Sequence, residues 1–108
     1  MAQNFRRYTA SSIGTTGTTI YTSSSYATII GISVANIATS GVNATVQIYN
    51  GTTTINLVYV APVPAGSALQ VLDGGAKFVM SSGDAIIVKS DTTSSLDVWV
   101  SSVDSIST

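Results

Sequence analysis

Neither cysteine nor histidine occurs in this 108-residue chain, and all five of its acidic residues are aspartate. Without cysteine there is no disulfide, no thiol nucleophile and no thiolate zinc ligand. Without histidine there is no side chain that titrates near neutral pH unaided, and no Ser-His-Asp triad can be assembled. Charge is scarce too. Lys and Arg number four against the five aspartates, so charged residues are 8% of the chain and the formal net charge is −1. That balance offers no basic field to hold the chain on nucleic acid or anionic lipid. Long apolar runs are also missing. The most apolar stretch, residues 26–38, is broken by Thr28, Ser33 and Asn36 and falls short of the roughly 20 residues that cross a bilayer, so no membrane partner is expected. Residues 1–12 show no apolar run after Arg6 and Arg7, and a secretory leader is not expected.

Hydrophobic residues make up 44% of the chain, and Ser plus Thr close to a third. Solubility therefore rests on hydroxyls and amides. Such a surface has little charge to keep neighbours apart or to guard sheet edges, which suits a protein that works inside an assembly. The length fits one domain with one core between two packed layers.

Period-two alternation organises that core. Residues 83–103 read as a hairpin: 85–90 is rich in β-branched residues, 91–95 is a polar loop, and 96–103 alternates with Leu96, Val98 and Val100 on one face and Asp97, Trp99 and Ser101 on the other. In residues 26–36 the same rule places Ile30, Ile32 and Val34 together, opposite Ile29, Gly31 and Ser33. Residues 42–50 set Val42, Ala44, Val46 and Ile48 inward and Asn43, Thr45, Gln47 and Tyr49 outward. Asn50-Gly51 signals a type I′ turn into a returning strand over 52–60, with Ile55, Leu57 and Tyr59 facing one way and Val58 and Val60 the other. Pro62 and Pro64 lack amide donors, so 61–66 reads as a crossover between sheets. Asp73-Gly74-Gly75 supplies a turn before a short strand over 77–80. Residues 1–8 read as an N-terminal arm. The expected fold is all-β: a single antiparallel β-sandwich or jelly-roll-like domain over residues 9–108, with about eight or nine short strands. A small barrel stays open, because alternation gives faces but not strand order.

No residue carries a catalytic signature. Asp73, Asp84, Asp91 and Asp97 match no calcium-loop spacing, and most sit where turns favour aspartate. No serine lies in a G-x-S-x-G elbow. Neither a metal nor another cofactor is expected, and the chain reads as a non-enzyme. Two clusters stand out as partner-interface candidates. One is Phe5, Arg6, Arg7 and Tyr8, where arginine forks pair with carboxylates and the aromatic rings fill pockets. The other is the lone Trp99, with Tyr49 a second outward aromatic. Burying an indole of 150–250 Å² at about 25 cal/mol per Å² is worth roughly 4–6 kcal/mol before entropy is counted. Trp99 has a bland reading as well, as the cap of a second buried surface on a central strand.

The segments NFRRYT, APVPAGSALQVLDGGAKFVMSSGDAIIVKS and LDVWVS resemble the small Ser/Thr-rich virion structural proteins of tailed, cyanophage-like phages. The resemblance implies a β-sandwich carried on the virion in many copies or as a homo-oligomer. There it decorates the capsid as a cement protein against the major capsid protein, or serves in a tail, neck or fibre-attachment position against other virion proteins. It transfers no site residue. Two other readings are a carbohydrate-binding module using Trp99 and Tyr49, and a fimbrial or surface-layer subunit.

Overall fold

A computed structural model describes residues 4–24, 26–71 and 78–106. Among them nine strands form two antiparallel sheets: β1 (Asn4–Ile13), β2 (Thr18–Thr22), β3 (Tyr26–Asn36), β4 (Val42–Tyr49), β5 (Thr54–Val63), β6 (Ala68–Gln70), β7 (Phe78–Met80), β8 (Ala85–Ser90) and β9 (Leu96–Ile106). The first sheet runs β1-β9-β3-β6, with β7 also paired to β3; the second runs β2-β8-β4-β5. The architecture is the expected β-sandwich. The turn at residues 73–75 and Lys77 lie outside the described residues.

The inward stripes of both sheets make one core. Leu96, Val98 and Val100 of β9 are buried as their alternation requires, against Ile32 and Val34 of β3 and Val42, Ala44, Val46, Ile86 and Val88 from the facing sheet. Polar residues close the ends. Buried Asn36 donates from Nδ2 to the carbonyls of Ser40 and Val63, both at 2.9 Å, and accepts from the Ala38 amide, which pins the β3–β4 connection to β5.

Several expectations are corrected. The stretch 83–103 is not a hairpin. β8 and β9 lie in different sheets, and residues 91–95 arch from one to the other. Local hydrogen bonds set this arch: Ser95 Oγ donates to the Thr92 carbonyl at 2.7 Å, the Ser95 amide reaches the Ile13 carbonyl at 2.9 Å, and Ser94 adopts a φ of 49°. The arm expected over residues 1–8 is, from Asn4 onward, the first half of β1, paired in register with β9. Asn50-Gly51 does join two paired strands, β4 and β5, but only Gly51 has positive φ. Asn50 works instead through Oδ1, which accepts from the Thr52 and Thr53 amides across a four-residue loop. Pro62 sits in β5 itself, which is tolerated because β5 is an edge strand. In β3 a bulge between Ile29 and Gly31 reverses the alternation, so Ile29 is buried and Ile30 exposed, the opposite of the expectation. Thr45, expected outward, is buried, and its Oγ1 accepts from the Val60 amide at 3.1 Å. That bond stabilises a second bulged point, where Val60 has a φ of 50°.

Candidate functional site

Alternation along β1 splits the N-terminal cluster between two faces. Phe5, Arg7 and Thr9 stand opposite Val103, Ser101 and Trp99 of β9, and Thr9 and Trp99 continue the row to Ser33 of β3. Directly paired residues share a face, so these side chains lie on the outer surface of the first sheet. There Trp99 is 50% exposed and Phe5 78% exposed. The Arg7 guanidinium carbon lies 5.4 Å from the centre of the Trp99 ring, a cation–π pairing formed diagonally across the two strands. Ser33, Ser101, Thr9 and Ser11 surround the pair with short side chains. A shallow groove of about 520 Å³ runs beside the indole between Ser11, Ser33 and Asp97, and a second of about 400 Å³ lies between Phe5, Arg7 and Ile30. Trp99 is therefore on a central strand, as its bland reading supposed, but it caps no second buried surface.

Tyr8 and Arg6 go the other way. Tyr8 pairs with buried Val100 and turns into the sandwich, where its ring stacks on Tyr21 of β2, centroids 3.9 Å apart and planes 16° from parallel. Tyr49 belongs to the opposite sheet and donates its hydroxyl to the Gly51 carbonyl at 3.0 Å. Of the six candidate residues, the fold brings Phe5, Arg7 and Trp99 together. It places Arg6 and Tyr8 at the sheet-to-sheet seam and leaves Tyr49 alone.

That seam holds an acid outside the six candidates. Asp104 is buried there and accepts hydrogen bonds from the hydroxyls of Tyr8, Ser102 and, at 2.9 Å, Tyr21. Burial by itself pushes the Asp104 carboxyl up. The hydrogen bonds from Ser102, Tyr8 and Tyr21, with the nearby charge of Arg6, outweigh it and hold the group below the ordinary carboxylate range. Burial, followed by the bond to Asp104, pushes the Tyr8 hydroxyl well above its ordinary value. Tyr21 is raised as well, burial again the largest cause. The three groups form a clasp between β1 and β9 of one sheet and β2 of the other, with its polarity spent internally.

The remaining described aspartates are engaged in loops and bulges. Asp84 accepts from the Ser81 amide, Asp97 from the Ser12 amide at a bulge of β1, and Asp91 from both the amide and the side chain of Asn43. The backbone bond from Asn43 is the largest influence on Asp91 and holds its carboxyl low. Among the described residues no group of three or more acidic, His or Cys side chains is placed to hold a metal.

No protein-family model and no curated protein sequence matches this chain. Two solved structures of a pentameric capsid protein isolated from metagenomic phage sequences are similar to it, each at 18% identity with a TM-score of 0.47 over 94% of this chain. The chain spans 60% and 62% of the length of those two chains.

Proposed function

We propose that this chain is a non-enzymatic structural protein of a phage virion, a capsid decoration or cement protein that binds the head by bridging coat subunits. The observation that carries the reading is the Phe5–Arg7–Trp99 surface: a Trp, an Arg and a Phe presented on the outer face of the first sheet, with short Ser, Thr and Gly residues among their neighbours. Trp and Arg dominate the energetics of protein interfaces, and short neighbours let a partner approach the sheet closely. The near absence of charge across the chain supports a protein held among neighbours in many copies rather than one dissolved alone. The sequence resemblance to tailed-phage virion proteins points the same way, to a virion location with the major capsid protein as partner. A tail, neck or fibre-attachment position uses the same surface against a different virion protein.

The test is incorporation. Trp99→Ala and Arg7→Ala, on a fold that neither side chain supports from inside, are expected to lower the amount of this protein in purified particles about tenfold or more, as loss of an interface anchor does. Labelling in particle images separates the two positions, since many copies spread over the head mark a decoration protein and a few at one vertex mark a tail or neck component. Unchanged incorporation of both variants removes the proposal. The groove beside Trp99 favours one other reading, a saccharide ring stacked on the indole with Asp97 and Ser33 bonding its hydroxyls. Glycan binding that disappears in Trp99→Ala would establish that reading in place of the first.

A further inference from the structure

The free edge of the second sheet is a different surface from the Trp99 face. Among the described residues β5 closes that sheet on one side and pairs with β4 alone. It is ten residues long and carries four large apolar side chains in the open: Ile55 at 50% exposure, Leu57 at 38%, Tyr59 at 68% and Val60 at 48%. Two bulges bring them there. The register against β4 slips between Val58 and Asn56 and again between Val58 and Ala61, so alternation fails and Leu57, Tyr59 and Val60 are all left exposed. Large apolar side chains left in the open along one free strand are of the kind that marks an interaction site. Exposed Thr54, Asn56, Pro62 and Pro64 extend the strip along the strand.

The occupant is selected by charge. From residue 8 to residue 72 there is no Asp, Glu, Lys or Arg. The strands β4 and β5 carry no charge, and the charges beside them, Lys89 opposite Thr45 and Asp91 bonded to Asn43, stand across β4 from β5, so a charged partner surface laid along residues 55–60 would bury its charges with little to pair them. Typical protein surfaces are rich in charge, since about a quarter of average residues are ionisable. This chain's own β4–β5 edge carries none. We propose that the β5 edge is a self-association surface, occupied by a second copy of this chain. The contact is made by the exposed side chains rather than by extending the sheet, because the two bulges and Pro62 interrupt the row of edge amides and carbonyls that a new strand would need. It is independent of the virion reading and operates in the protein alone.

Sedimentation velocity over a concentration series reads it directly. The expected result is concentration-dependent association of the unaltered chain, weakened about tenfold or more in a Leu57→Lys/Tyr59→Lys variant and unchanged in Trp99→Ala. Since the chain has no cysteine, Tyr59→Cys and the exposed-turn control Thr16→Cys can each be treated with a short bis-maleimide. Dimer is expected from position 59 and not from position 16, a readout that does not depend on the lysine variant folding. A chain that stays monomeric throughout, association untouched by the two lysines, or equal cross-linking at both positions overturns the proposal. Failure here with loss of Trp99→Ala from particles would leave the virion reading standing, and the converse pattern would leave this one.

Discussion

Removing the Asp104 charge weakens three hydrogen bonds at once. Asp104→Asn keeps the volume but loses the charge that Tyr8, Tyr21 and Ser102 all donate to, and hydrogen bonds to a buried charged group are each worth about 1.5–3 kcal/mol. The expected loss is about 2 kcal/mol or more in urea unfolding at neutral pH; a loss within about 0.5 kcal/mol would mean that the clasp is ornamental. Its pH dependence follows from the direction of the shifts. Asp104 titrates below 3.8 when folded, so its contribution is complete above that value and is lost as pH falls through 3.8 toward the folded value. Tyr8 and Tyr21 titrate above 10.0 when folded, so their contribution is complete below 10.0 and is lost as pH rises beyond it. Asp104→Asn should flatten the acid limb of the stability profile and Tyr8→Phe the alkaline one, with Asp91 keeping a residual acid dependence. Half of this site was legible. Asp104 lies on the same parity as Leu96, Val98 and Val100, and the buried stripe simply continues through Ser102. Its polar residues hid the continuation, while a bulge at Ile20 that turns Tyr21 inward left no mark in the alternation.

Two adjacent isoleucines distinguish a bulged β3 from an uninterrupted one. Ile29 is fully buried and Ile30 is 40% exposed, because one residue of β3 is left unopposed between the pairings Ile29–Ser102 and Gly31–Ser101. Ile29→Ala should therefore cost about 2–5 kcal/mol, the range for deleting a buried aliphatic side chain, and Ile30→Ala within about 0.5 kcal/mol. Equal costs, or the reverse order, would restore simple alternation and dispose of the bulge. Strand existence was readable throughout because β-branched runs and Gly/Asn/Pro punctuation are local signals. Pairing was not. A polar loop such as 91–95 suits a hairpin or an arch equally well. The outcome is decided by the core: β8 and β9 each present a buried stripe and each sits between two neighbours of its own sheet, so they lie in opposite layers of the sandwich instead of side by side.

At the scale of the whole molecule, the first sheet brings the two ends of the described chain together. Asn4 stands opposite Asp104, and β1 lies along β9 with more than ninety residues between them at that end, so β1 is the outer wall of the sheet whose middle is β9. A detachable arm over residues 1–8 could be removed with no effect on the body. In this fold the same deletion strips half of an edge strand, opens the backbone of β9 around Val100–Asp104, and takes Tyr8 from both Tyr21 and Asp104. Deleting a fully buried aromatic costs about 3–5 kcal/mol, and Tyr8, partly buried against the core, carries a share of that against the 5–15 kcal/mol that holds a typical domain together. The deletion is accordingly expected to lower the urea midpoint sharply or to unfold the chain, whereas Phe5→Ala/Arg7→Ala, which alters only the outer face, should leave the midpoint nearly unchanged. A truncated chain with an unaltered midpoint would return residues 4–8 to the status of a tether. The comparison also governs how the incorporation test is read, because only the outer-face variants separate loss of a partner contact from loss of the fold.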